Sequence, residues 1–268
     1  MRGDEPQPSA LGFGGQSGFG ANPSFMDLLG QGNPGAAQPL QPPAGFPIPH
    51  GTTILALKFE GGVVMAGDRR ATEGFSIADE KIEKVFQADD FSCVAIAGAA
   101  GQATEIVKLF QVELEHYEKV QGDRLSLEGK ANRLAQMIRQ NFPMALQGLV
   151  VVPLFGGYDE RRAEGRLFRY DATGGRWEEE NFLSTGSGGK AAKTTLKKRW
   201  RSGLSRAEAV RAAVEALRDA SEEDVATGGP DPVRGIFPST KVISSEGVEE
   251  VPVEEVRAAY DELISGPE

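Results

Sequence analysis

The chain changes character at His50-Gly51-Thr52-Thr53-Ile54-Leu55-Ala56-Leu57-Lys58. Before this point the sequence is low in charge and rich in Gly, Pro, Gln and Ser, with Gly14-Gly15, Pro34-Gly35 and Gln41-Pro42-Pro43. Such a composition buries too little apolar surface to offset the entropy of ordering, so residues 1 to about 49 are expected to be disordered. One stretch inside it, Ser24-Phe25-Met26-Asp27-Leu28-Leu29, has the spacing of a short amphipathic turn of helix. A folded core must therefore come from the residues beyond Gly51, which are numerous enough for one substantial domain.

From Thr52 onward the pattern is regular. Thr53–Lys58 and Val63–Gly67 read as two strands joined at Glu60-Gly61-Gly62, a hairpin. Lys84-Val85-Phe86 and Phe91–Ala97 are two more strands, divided at Asp89-Asp90. Apolar runs this short, bounded by turns, suggest strands covered on both faces. Gly98-Ala99-Ala100-Gly101 then leads into a long helix, with Ile106, Leu109, Phe110, Leu114 and Tyr117 as its buried stripe. A second helix begins at Ser126, with Leu134, Met137, Ile138 and Phe142 facing the core and Pro143 near its end. Leu149–Phe155 reads as a buried strand, and Gly165–Tyr170 as a hairpin partner of Trp177–Phe182 across Thr173-Gly174-Gly175. Two helices (about 191–200 and 206–221), a pair of strands and a helix around 254–263 complete the chain. Hairpins followed by helix pairs, twice over, predict an α+β fold of two packed sheets with helices outside both.

Composition narrows the chemistry. The formal net charge of -10 disfavours nonspecific binding to nucleic acid or an anionic membrane, since both repel an acidic chain. No apolar run approaches bilayer length, and the first residues lack the pattern of a secretory signal. Cys93 is the single cysteine, so no intrachain disulfide forms, and a cytoplasmic location is expected. With that cysteine and two histidines, His50 and His116, a Cys/His zinc site lacks ligands, and no metal or other cofactor is expected. His116 reads as a solvated residue near a helix end. A hydrolase built on this chain must work without histidine.

The Gly51-Thr52 step suggests how. If the chain is cut there, residues 1–51 are a removable pro-segment and 52–268 the working domain, with Thr52 at its start. An N-terminal threonine carries nucleophile and base on one residue: a hydroxyl and an α-amino group of reference pKa about 8. Other residues have plainer roles when taken singly. Asp68 suits a turn, Lys84 an exposed strand, and the run Lys190, Lys193, Lys197, Lys198, Arg199, Arg201 a solvated or subunit-contacting helix face.

Taken in order, Gly51-Thr52-Thr53, Ala66-Gly67-Asp68-Arg69-Arg70-Ala71-Thr72, Ile82-Glu83-Lys84, Ala97-Gly98-Ala99-Ala100-Gly101, Gly186-Ser187-Gly188 and Asp224-Val225-Ala226-Thr227-Gly228 resemble a proteasome β-subunit. The long pro-segment and Gly228-Gly229-Pro230-Asp231 resemble the actinobacterial type. The likeness implies the four-layer αββα sandwich of N-terminal nucleophile hydrolases. It also implies a threonine endopeptidase, assembled with α-subunits and other β-subunits in stacked seven-membered rings. A ring ATPase would feed it unfolded proteins tagged with a prokaryotic ubiquitin-like protein. Two other readings stand beside this one. An HslV-type peptidase also starts with paired threonines, but usually has Gly-Gln after its Gly-Asp and almost no pro-segment. A noncatalytic ring subunit would have lost Thr52, Asp68 or Lys84.

The resemblance implies roles residue by residue. Thr52 is the nucleophile that first cuts the Gly51-Thr52 bond, with Asp68 and Lys84 beside it. Ser187, Asp224 and Thr227 position its amino group and a water. The Gly98 N–H is an oxyanion donor. Ala71, Ile82, Phe86, Ile96 and Ala100 surround the substrate side chain; being apolar, they predict a chymotrypsin-like preference. Thr72 and Ala100 would hydrogen-bond an extended peptide.

Overall fold

Residues 51–73 and 76–266 are described by the computed structural model. The expectations for residues 1–49, including the turn at Ser24–Leu29, lie outside them. Strand β1 (Thr53–Phe59) pairs antiparallel with β2 (Gly62–Gly67), Ile54 opposite Gly67, as the hairpin pattern predicts. The chain continues through β3 (Ala71–Glu73) and β4 (Ser76–Asp79), a small antiparallel pair that the sequence pattern did not announce. Next come β5 (Val85–Asp89) and β6 (Ser92–Gly98), then helices α1 (Ala100–Gln121), α2 (Leu127–Gln140) and the single turn α3 (Phe142–Ala145). Strands β7 (Val151–Asp159), β8 (Glu164–Tyr170), β9 (Arg176–Glu179) and β10 (Phe182–Gly186) come after them. Helices α4 (Gly189–Arg199) and α5 (Arg206–Glu223), strands β11 (Ser239–Ser244) and β12 (Gly247–Glu250), and helix α6 (Val253–Ser265) complete it.

The larger strands form two five-stranded antiparallel sheets, in the orders β10-β1-β2-β11-β12 and β5-β6-β7-β8-β9. Side chains alternate across a strand with period two, so each strand serves two cores. From the first sheet, Ile54, Ala56, Val63 and Met65 meet Val85, Cys93, Ala95 and Leu154 of the second. The intervening Leu55, Leu57, Val64 and Ala66 pack instead on α4, α5 and α6. On the second sheet Val94, Phe155 and Phe168 pack on α1 and α2. Burial on both faces explains why these strands are apolar without alternation. Phe110, Phe155 and Phe168 are fully buried, with Phe155 meeting Phe110 edge to face and Phe168 at a tilt, and truncating one to Ala would cost about 3–5 kcal/mol. Helix α2 begins on Ser126, whose hydroxyl accepts from Gly129 N–H, and α5 on a capping box of Ser205 and Glu208.

Several local expectations need correction. Leu109 and Tyr117 are exposed, because the buried stripe of α1 runs through Ala103, Ile106, Val107, Phe110 and Leu114. Leu109 lies a third of a turn off that stripe, and Tyr117 lies beyond the last buried residue. Phe142 is also exposed: α2 stops at Gln140, and Pro143 sits in the separate turn α3. His116 is exposed as expected, although α1 continues five residues past it. Trp177–Phe182 is not one strand. A bend at Glu180-Asn181 ends β9 and sends Phe182 into β10, which pairs with β1 in the other sheet. No helix among the described residues is long and apolar enough to cross a membrane.

Candidate active site

The site forms where β1, β2 and β5 meet. Asp68 follows the last residue of β2 and is completely buried. All its acceptor positions are engaged: Oδ1 accepts from Thr53 N–H (2.8 Å) and Lys84 Nζ (2.7 Å), Oδ2 from Arg70 N–H (3.0 Å) and Gly228 N–H (2.9 Å). Lys84, just before β5, also donates to the Arg70 carbonyl at 2.6 Å. Burial pushes the Lys84 ammonium below its ordinary lysine pKa, against the pull of the Asp68 charge and hydrogen bond. A buried lysine lowered in this way is a recurrent property of functional sites.

On the other side of Thr52 is a second polar group. In the continuous chain Thr52 N is the amide of the Gly51–Thr52 peptide bond, and it donates to Ser187 Oγ at 3.2 Å. Ser187 N–H donates to the Thr52 carbonyl (2.9 Å), and its hydroxyl donates to Asp224 Oδ2 (2.5 Å). Thr227 Oγ1 donates to the same oxygen at 2.6 Å. Burial raises the Asp224 carboxyl, but these hydroxyls, the Ala226 N–H and the Lys84 charge outweigh it and hold the acid below the usual range. Asp224 is thus held as an anion, the form that can orient hydroxyl donors.

Three contributors were not foreseen. Thr53 Oγ1 lies 2.7 Å from Thr227 Oγ1 and accepts from Gly188 N–H at 3.0 Å. Its own proton therefore goes to Thr227, which completes a one-way chain from Gly188 through both hydroxyls to Asp224. Arg70 gives Asp68 its N–H and Lys84 its carbonyl, and its guanidinium donates to the Val225 carbonyl at 3.1 Å. Gly228 N–H ties the same loop to Asp68. The signals in the sequence were the doubled threonine, the Arg69-Arg70 step and the end of the Asp224–Gly228 motif, none of which names a bond.

A cavity of about 240 Å³ opens beside Thr52. Ala71, Ile82, Phe86, Ile96 and Ala100 all line it, together with Lys84 and Gly98. Ala103, Thr104, Glu83 and Arg70 add to the wall and were not anticipated. Thr72 is not part of the lining; its hydroxyl accepts from Gly51 N–H at 3.1 Å. Asp68, Ser187, Asp224 and Thr227 also stand outside the lining, behind or beside Thr52. Gly98 has φ +122°, and a Cβ there would lie 2.0 Å from the Val150 carbonyl oxygen. Backbone geometry alone thus demands glycine at this position. A larger groove, of about 1030 Å³, runs between α4, α5 and α6. It holds none of these residues, and its charges are largely paired, as in Arg199–Glu215 and Arg201–Glu208.

A family model described as "Proteasome subunit" matches residues 48–233. A "Proteasome subunit beta" of Acidimicrobium ferrooxidans is 60% identical over 223 residues, covering 82% of each chain. Another, of Acidothermus cellulolyticus, is 55% identical over 233 residues, covering 84% of this chain and 80% of its own.

Proposed function

The chain belongs to the proteasome subunit family, among its β-subunits, and on that premise we propose that it is a threonine endopeptidase matured by its own nucleophile. One observation carries the reading: Thr52, the buried Lys84 and the Gly98 backbone share one apolar cavity. Self-cleavage would begin with Thr52 Oγ attacking the Gly51 carbonyl carbon. The new O–C bond forms, the C–N bond breaks, and the hydroxyl proton ends on Thr52 N. Water then hydrolyses the ester, which restores the hydroxyl and releases residues 1–51 with a carboxylate on Gly51. The freed α-amino group is the base for later turnovers.

In the mature enzyme that amine takes the Thr52 proton as Oγ attacks a peptide carbonyl, and passes it to the leaving amine. Lys84 favours the developing negative charge, and Asp68 keeps Lys84 in place. Ser187, already bonded to Thr52 N, would hold the amine with Asp224, Thr227 and Thr53 behind it. Gly98 N–H is the candidate oxyanion donor, a role worth a few kcal/mol in the transition state. The apolar lining favours substrates with a hydrophobic residue before the scissile bond. Extended peptide would run along Thr72 and Ala100.

The wider assignments follow from the family. Three apolar clusters, one between the sheets and one under each helical face, support the four-layer αββα sandwich of N-terminal nucleophile hydrolases. As a β-subunit the chain would assemble with α-subunits and other β-subunits in stacked seven-membered rings in the cytoplasm. A ring ATPase would deliver proteins carrying a prokaryotic ubiquitin-like tag. The test is the intact mass of the chain in particles co-expressed with its α-subunit. Loss of residues 1–51 in the natural chain, and its absence in Thr52→Ala, is the expected result. A natural chain that stays full-length would point to a noncatalytic ring subunit.

A further inference from the structure

Gly51 lies on the acyl side of the proposed cut, and its surroundings differ from those of the cavity. It is buried, and a Cβ built on it would lie 1.8 Å from Ala226 Cβ, 2.8 Å from Ala226 Cα and 2.9 Å from the Ala226 carbonyl oxygen. The three nearest atoms belong to one residue, and two of them are backbone, so no change of rotamer relieves the contact. Ala226 is not among the residues lining the apolar cavity. The side-chain direction of residue 51 therefore points at the loop after α5.

That loop is held on both sides of Ala226. Its own N–H donates to Asp224 Oδ1 at 3.2 Å, and Thr227 N–H donates to the Asp224 carbonyl at 3.0 Å. Arg70 donates to the Val225 carbonyl at 3.1 Å, and Gly228 N–H to Asp68 Oδ2 at 2.9 Å. Gly51 is held in turn by its N–H bond to Thr72 Oγ1. Ala226 cannot step aside without breaking bonds that also arrange the candidate catalytic groups, and Gly51 cannot without losing its bond to Thr72.

We infer that Ala226 is the specificity-determining residue of self-cleavage, admitting only glycine at position 51 and keeping that position out of the substrate cavity. This rests on the threonine-peptidase reading above. One nucleophile then serves two reactions with separate selection: the internal cut is screened by Ala226, and peptide substrates are screened by the apolar lining. A pro-segment ending in glycine needs no hydrophobic residue at the cut, even though the cavity favours one.

The test tracks the intact mass of full chains, co-expressed with α-subunits, over time. Gly51→Ala should slow the cut by about 100-fold, the scale of overpacking a well-packed site. Adding Ala226→Gly should return about tenfold of that, because the 1.8 Å contact disappears while the backbone contacts remain. Ala226→Val, which retains Gly51, approaches the same contact from the loop side and should slow the cut about tenfold; it serves if the Gly51 variants do not assemble. If Gly51→Ala matures at the natural rate, if the double variant is no faster than Gly51→Ala, or if Ala226→Val is unchanged, the role of Ala226 is overturned. The underlying reading fails separately, through a natural chain that is never cut or a Thr52→Ala chain that is.

Discussion

Two groups of buried charge in this molecule are built on opposite principles. Around Arg166, whose side chain is almost wholly buried, sit Asp159, Glu128 and Glu178, all within hydrogen-bond distance, with Phe168 beneath the guanidinium. The hydrogen bonds that Arg166 donates to Glu178 raise the arginine above its ordinary value and hold the Glu178 carboxyl below its own. Burial raises Glu128 and Asp159, but the arginines overcome it and both acids end below the usual range. Every shift favours the charged form, so the cluster clamps α2 to β7, β8 and β9. At Lys84 the balance is reversed. One carboxylate does not repay the burial of the ammonium, and its pKa falls. A pair kept for stability alone would not be expected to carry that cost beside an open cavity.

The sharpest way to break this comparison is Lys84→Met. Removing the ammonium should lower peptide hydrolysis by about a thousandfold. Stability should change little, because Asp68 keeps three backbone N–H donors, from Thr53, Arg70 and Gly228. Peptidase assays of assembled particles read the first effect and urea unfolding the second. Activity within tenfold of the natural chain would remove the charge at position 84 from the mechanism.

Arg166→Met should do the converse. It strands carboxylates in a partly buried site, a loss of about 3 kcal/mol, the low end for a broken buried pair because Glu128 and Glu178 can turn toward water. Turnover per assembled particle should stay within about twofold, since the sites share no side chains. A urea midpoint that does not move would mean the network contributes no stability.

The same contrast has a pH signature. The acids around Arg166 bind protons at lower pH in the folded chain than in the unfolded one. Their contribution is therefore complete above the ordinary carboxylate range and lost as pH falls through the lowered folded values. The stability gap between the natural chain and Arg166→Met should narrow below about pH 4. For Lys84 the sign is opposite: the unfolded chain binds that proton more tightly. Its cost is complete below the lowered folded value and fades as pH rises through that value toward the ordinary lysine range. Unfolding curves measured across both ranges check both signs.

How far these features were legible in the sequence depends on where their information lies. Strands such as Val63–Gly67 were readable because burial on both faces writes itself as an unbroken apolar run. The passage of β10 into the first sheet was not, since nothing in Trp177–Phe182 marks Glu180-Asn181 as a bend between sheets. Asp68, Lys84 and the cavity residues were found through ordered motifs, which record chemistry. Thr53 looked like any β-branched residue opening a strand, and its hydroxyl chain to Asp224 exists only after β1, α4 and the loop beyond α5 come together. Ala226 stood inside the motif Asp224–Gly228 with no role of its own, because its contact with Gly51 is a matter of where a missing atom would fall.

The smallest predicted effect concerns the apolar part of the cavity wall, the side chains beside Arg70, Glu83 and Lys84 that carry no charge. Ile96 lines the cavity but is also buried in the cluster beneath α1, so truncating it would mix specificity with stability. Ile82 lines the cavity, is only partly buried, and belongs to none of the three apolar clusters. Ile82→Ala should therefore change selection with little change in unfolding. A pocket enlarged by a few methylene groups discriminates side chains by about tenfold or somewhat more, so preference should shift toward bulkier hydrophobic residues by that factor. Competition between two peptides differing only in the residue before the cut reads this directly. An unchanged ratio would mean that the side chain before the cut does not reach Ile82, and the cavity would lose its role as the selector.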